Sequence, residues 1–268
     1  MSAVAKIAVH VFRDSVRDKV LYNLVLFAVL MISASYLIGQ LTAGQDVKII
    51  KDLGLTATSV FGLFIAIFIG VGLVSREVRR RSIYNILSKP VRRHEVILGK
   101  YVGLVLTLAV NLAIMAAAVY AVLGYMSLTE SEEFKRGWEA PATDPALLVA
   151  FLLILVQLMV VTAVALFFST FSSPLLAAVM TGALYVAGHF NADLRSVHEF
   201  VDSALVGGLA TGVSYVLPDL AAFNVTAQVV HAQPVGLGYV VVICGHAAAY
   251  IGVLLMGAMS VFSRRDLV

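Results

Sequence analysis

The side chains best equipped for chemistry cluster late in the chain: His189, His198 and His231, with Asp193, Glu199 and Asp202 among them. Imidazoles and carboxylates build zinc sites and acid–base pairs. Here their spacings match no metal-binding pattern, and neither H-E-x-x-H nor G-x-S-x-G occurs. A second acidic group, Glu130, Glu132, Glu133, Glu139 and Asp144, includes no histidine and reads as a solvated loop. A phosphate-cradling loop needs GxxxxGK[ST]. The one Gly-Lys pair, Gly99-Lys100, is followed by Tyr101, and His94 stands where the first glycine belongs. The expectation is a chain with no metal, no catalytic residues and no ATP site of its own, hence not an enzyme. The single cysteine, Cys244, lies in an apolar run, so no disulfide forms within the chain.

The elements that carry these residues are set by composition. Of 268 residues, 60% are hydrophobic and 13% charged, and the mean hydropathy is +0.95. A soluble domain is nearer half apolar and a quarter charged. So much apolar surface demands lipid as solvent. The basic pI near 9.0 is therefore not read as nucleic-acid binding, because basic residues in a membrane protein mainly set orientation. No alternation suggests a barrel, and helices are expected throughout.

Six apolar runs are long enough, or nearly so, to span: about 20–40, 55–75, 99–125, 146–169, 174–190 and 237–262. The fifth sits near the lower limit of about 17 residues, and full crossing is left open. With both termini cytoplasmic, 14 Lys and Arg fall inside and five outside, while five acids fall inside and 11 outside. That split obeys the positive-inside rule and points to an integral plasma membrane protein of the bacterial inner-membrane type. The whole of 1–268 reads as one transmembrane domain.

Three segments are not spans. Residues 1–19 place Val4, Ile7, Ala8, Val11, Phe12 and Val16 on one helical stripe with Lys6, Arg13 and Asp14 mostly opposite. This predicts an amphipathic helix in the cytoplasmic interface. Residues 191–236, long for a loop, predict short outer-face helices that dip into the leaflet and return, with protein around any irregular backbone. In the uncharged turn "FFSTFSSPLLA", Ser172 or Ser173 is expected to cap the helix that Pro174 begins.

The third segment, 76–98, carries most of the charge. Eight of the 19 Lys and Arg lie between Ser75 and Lys100. At the bilayer centre they would cost about 20–28 kcal/mol, so the segment meets water or protein. Val78, Ile83, Ile86 and Leu87 line one side of a short helix, Pro90 stops it, and a second helix begins near Arg92 to Glu95. A basic flank with an apolar tip suits docking to a soluble partner.

In this segment the chain resembles the membrane subunits of ABC-2 type ABC transporters. The residues that carry the likeness are Glu77, Ser82, Ile83, Ile86, Leu87, Ser88, Pro90, Val91, Arg92, Glu95, Gly99 and Lys100, with Arg81 where the family has glycine. Looser matches are "FFSTFSSPLLAA", "VLPDLAAFN" and "FSRRDL". The resemblance implies an exporter permease that pairs as a homodimer over two copies of a separate ABC ATPase holding ATP and Mg. It implies a coupling helix at about 79–89, with Glu77, Arg79, Arg80, Ser82, Ile83, Tyr84, Ile86, Leu87, Pro90 and Arg92 docking the ATPase. It also implies a dimer face on spans one and five.

No Asp or Glu lies well within a span, which argues against an ion-driven carrier. Asn111, Gln157 and His246 are the polar groups at depth. They read first as links between helices and second as lining of a transport cavity. The apolar interior favours lipidic or amphipathic cargo. Two alternatives stay open: a permease passing force to a periplasmic partner through 191–236, and a membrane-embedded lipid-modifying enzyme.

Overall fold

A computed structural model describes residues 3–17, 46–80, 93–130, 140–191 and 212–264, together with 26–27, 29–31, 33–34, 135, 138 and 208. The helices are α1 (Ala3–Arg17), α2 (Asp46–Arg80), α3 (Arg93–Thr129), α4 (Ala146–Ser169), α5 (Pro174–His189), α6 (Thr226–Val230) and α7 (Leu237–Arg264). A 3-10 turn occupies Ala221–Phe223, and no strand occurs among the described residues.

Four helices are long and apolar enough to cross a membrane: Asp46–Val71 of α2, His94–Thr129 of α3, all of α4, and Leu237–Phe262 of α7. The α4 bounds match the expected span 146–169. α2 starts nine residues before the expected 55 and α3 six before the expected 99, so both overrun an apolar layer of about 30 Å. α5 has 16 residues, about 24 Å of helix, less than that layer. The expected first span lies largely outside the described residues. Of it, Phe27 and Met31 are buried, and the Phe27 ring meets Phe61 of α2 edge-on at 5.7 Å.

α4 is apolar all round, which is the pattern of a helix enclosed by others. Every residue from Val160 to Leu166 is buried, and α2, α3, α5 and α7 all pack against it. Glycines set the distances. A Cβ on Gly62 would collide with the Leu158 side chain, and one on Gly70 would stand 2.9 Å from Ala165 Cβ. α3 approaches α2 in the same way, with Val119 at Gly54.

α1 departs from expectation in what covers its apolar stripe. Val4 and Ile7 meet α3 at Gly99, and Ala8 and Val11 meet it at Gly103. The contacts advance together along both helices, so α1 runs beside α3 in the same direction. Ala8 and Val11 are buried against protein, while Lys6, His10, Arg13 and Asp14 stay exposed. The Gly99-x-x-x-Gly103 pair thus serves this internal seam. Within it Ser15 is buried, with its hydroxyl lacking a partner among the described residues.

The uncharged turn between α4 and α5 satisfies its polar groups locally. Ser169, Thr170 and Ser172 donate their hydroxyls to the carbonyls of Leu166, Phe167 and Phe168 at 2.6–2.7 Å. Ser173 holds the N-cap position before Pro174, but its side chain makes no cap bond. The hydroxyls therefore close α4 rather than open α5.

The α1–α3 seam gives a test. A methyl at Gly103 would sit 2.7 Å from the Ala8 carbonyl oxygen, a backbone atom that cannot swing aside. Gly103→Ala is expected to destabilise the purified protein by about 1–3 kcal/mol. Gly245→Ala, where nothing lies within 4 Å, is expected to be neutral or stabilising by up to about 1 kcal/mol. Thermal unfolding in detergent compares them, and equal midpoints would remove the seam.

Candidate functional site

Two regions are candidates for function: the basic segment at one end of α2 and α3, and the irregular chain that meets α4 near its middle. The first is the basic segment. α2 continues unbroken through Arg76, Glu77, Arg79 and Arg80, and α3 begins at Arg93. Arg79 and Arg80, expected as the start of a separate short helix, are thus the last turn of α2. Ser82, Ile83, Tyr84, Ile86, Leu87, Pro90 and Arg92 lie outside the described residues. The segment 81–92 is strung between helices of 35 and 37 residues.

The far, distal end of those helices is tied by a buried cation. Lys51 is 1% exposed although it reads as a loop charge in the sequence. Its ammonium donates to the Pro141 carbonyl at 2.7 Å. The Tyr120 hydroxyl of α3 donates to the Asp144 carbonyl at 2.9 Å. The Asp144 carboxylate in turn accepts the Ala146 N–H at 2.8 Å, opening α4. α2, α3 and α4 are thereby joined around one loop.

The second region is where chain after α5 enters the bundle. Residues 217–220 are not helical, yet Leu220 is fully buried and Phe223 and Val225 nearly so. Irregular backbone in an apolar layer must find partners within the protein. It finds them on three helices. Gln157 of α4 donates its side-chain amide to the Leu220 carbonyl at 3.1 Å. From α7, Tyr239 donates to the Ala222 carbonyl at 2.7 Å and Tyr250 to the Val216 carbonyl at 3.3 Å. Just past the end of α5, Asn191 donates to the Leu217 carbonyl at 3.2 Å. The Leu220 N–H donates to the Gly188 carbonyl at 3.0 Å. Gly188 is needed there, because a Cβ would meet Leu220 and the Pro218 carbonyl at 2.9 Å. Asp219 is used locally, accepting the Ala222 N–H at 3.3 Å.

Gln157 is the centre of this anchor. It lies eleven residues into α4, about 16 Å from the distal end of that helix. Its second N–H points at His189 Nε2, 3.2 Å away. His189 Nδ1 lies 2.9 Å from the Tyr185 carbonyl, so Nδ1 carries the proton and Nε2 accepts. The Tyr185 and His189 rings pack at 4.4 Å. Segment 217–223 thus descends to mid-height of α4, beside the end of α5. It is irregular backbone held among helices.

The three polar groups expected at depth are held separately. Gln157 serves the anchor. Asn111 is buried on α3, donating to the Thr107 carbonyl at 2.7 Å, while its Oδ1 has no partner among the described residues. His246 is on an exposed face of α7, with Nδ1 3.0 Å from the Val242 carbonyl. The two tyrosines escaped sequence reasoning, and His189 was read there as a member of a histidine–acid group rather than as a partner of Gln157. The signal for His189 was its place at the end of an apolar run too short to cross. Of the late histidines and acids, Asp193, His198, Glu199 and Asp202 lie outside the described residues, and those that are described form no group able to hold a metal.

The described residues are helical with no strand, and four helices are long and apolar enough to cross a membrane, the make-up of an integral membrane protein. The model of the ABC-2 family transporter proteins matches residues 5–267, and the chain belongs to that family. It is a membrane subunit of an ABC-2 transporter, and membership implies association with an ATP-binding subunit. No curated protein matches it.

Gln157→Leu leaves His189 Nε2 without this donor and the Leu220 carbonyl with only the longer 3.3 Å bond from the Phe223 N–H. It is expected to lower unfolding free energy by about 1–2 kcal/mol and to speed amide exchange at 217–223. Tyr250→Phe, which removes a longer bond, is expected to lose about 0.6 kcal/mol. The reverse ranking would displace Gln157 from the centre of the anchor.

Proposed function

We propose that this chain is the permease of an ABC-2 exporter, working as a homodimer with two separate ATP-binding subunits that supply ATP and Mg. Those subunits grip the segment 76–98 between α2 and α3. Both termini are cytoplasmic, following the distribution of Lys and Arg, and the distal end faces outward. The remainder of the first expected span supplies a further crossing, and α5 with its re-entrant continuation completes a six-segment arrangement.

One observation carries this reading within family membership: the basic segment is bracketed by two helices that run unbroken to the distal end. A displacement imposed there by closure of the ATP-binding subunits moves α2 and α3 as rods. Their glycine contacts transmit it to α4 and, through Gln157, to the re-entrant segment. ATP binding thus biases a two-state membrane assembly.

The dimer reading is supported by α5. Leu176, Val179, Ala183, Val186 and Phe190 recur at three- and four-residue steps and are exposed. Gly182, between them, has nothing within 4 Å of a built Cβ. Such a face suits close helix pairing in lipid.

Truncating Ile83, Ile86 and Leu87 to alanine together removes the apolar tip. Loss of a hot-spot contact of about 2 kcal/mol weakens partner binding roughly 30-fold. We expect the variant to insert normally, to lose ATP-binding subunits on purification, and to abolish ATP-dependent transport in proteoliposomes. Full transport by this variant would sink the proposal.

A further inference from the structure

A groove of about 420 Å³ lies between the distal end of α2 and α6, next along the chain from the anchor and at the other end of α2 from the basic segment. Lys48, Asp52 and Thr56 line it from α2, each one turn beyond the last. Asn224, Thr226 and His231 line it from α6 and its flanks. Its height is set by Lys51, whose bond to Pro141 places this part of α2 beside the loop that opens α4. In the proposed orientation that is the outer headgroup layer.

The chemistry is zwitterionic. An ammonium and a carboxylate stand one helical turn apart, with Cβ atoms about 5–6 Å apart at that spacing. Asn224 Oδ1 already accepts the Thr226 N–H at 3.1 Å, so the amide's NH2 end is what it offers a ligand. The Thr226 hydroxyl and the His231 imidazole lie alongside. His231 is followed by Ala232 at φ 54°, a left-handed conformation that a residue with a side chain adopts under strain. Below the groove the same i+4 row of α2 turns apolar and remains exposed: Val60, Phe64 and Phe68 at 44, 49 and 69%. The Phe64 and Phe68 rings stack at 6.3 Å. A polar groove at headgroup height above an uncovered apolar ridge matches a molecule with a charged head and acyl chains.

We propose that this groove binds the headgroup of a zwitterionic phospholipid of the ethanolamine type. The phosphate lies at Lys48 with Asn224 and Thr226, the ammonium at Asp52, and the acyl chains along Val60, Phe64 and Phe68. The proposal takes its orientation from the exporter reading. Its test needs no ATP-binding subunit, so the two fail separately.

The permease is reconstituted in nanodiscs holding equal phosphatidylethanolamine and phosphatidylglycerol with identical acyl chains. Lipid retained on release is counted by native mass spectrometry. The wild type is expected to retain the ethanolamine lipid about tenfold over the glycerol lipid. Asp52→Asn, at an exposed site, is expected to erase that preference while keeping phospholipid bound. Lys48→Ala is expected to reduce retention of both. Displacement of the lipid by soluble glycerophosphoethanolamine would show that the headgroup alone is recognised and would support the same chemistry from a soluble source. Equal retention of the two lipids by the wild type, or an unchanged preference in Asp52→Asn, would overturn the proposal. Should the variants misfold, amide exchange at 224–231 in the wild type decides: slower in ethanolamine lipid than in glycerol lipid supports it, and equal rates overturn it.

Discussion

Backbone carbonyls that leave helical geometry inside an apolar layer have no water to turn to. The structure around residues 216–222 answers that constraint. Beside local backbone bonds such as that from the Phe223 N–H to the Leu220 carbonyl, its carbonyls take donors from surrounding side chains: Gln157 on α4, Tyr239 and Tyr250 on α7, Asn191 after α5. An irregular segment held this way is fixed to the surrounding helices. It is also the part that changes partners at least cost in covalent geometry, because each link is one hydrogen bond. A segment with those properties at mid-height is suited to respond when its helices shift.

The long helices supply the other half of that behaviour. α2, α3 and α4 touch at glycines, where side-chain-free surfaces leave little play. The Lys51 and Asp144 loop joins the same three helices at the distal end. Burying a lysine is tolerable only with a partner, and here the partner is a carbonyl fixed by a proline-bounded loop. Helices tied at one end and packed closely along their length move as a unit. That is what the proposed coupling through 76–98 demands of them.

α1 modifies the picture at the basic end. An amphipathic stripe is blind to what covers it, since lipid and an apolar helix face satisfy it equally. Gly99 and Gly103 settle the matter in favour of α3 by leaving a furrow for Ile7, Ala8 and Val11. The helix that reads as a membrane-surface element is packed onto the helix that begins at Arg93.

Hydropathy and charge, taken from the chain alone, determined that it is a helical membrane protein and where α4 and α7 run. Apolar length and exclusion of charge from lipid are additive properties, readable without knowing any contact. The order of residues around Pro90 carried the family. Only the tertiary structure decided that Lys51 is buried, that α1 spends its stripe on α3, and that Gln157 serves the irregular backbone at Leu220. Each of those depends on which surface arrives opposite a residue. A glutamine in an apolar helix announces that something polar must meet it, but the Leu220 carbonyl lies 63 residues away along the chain, and only folding brings it there.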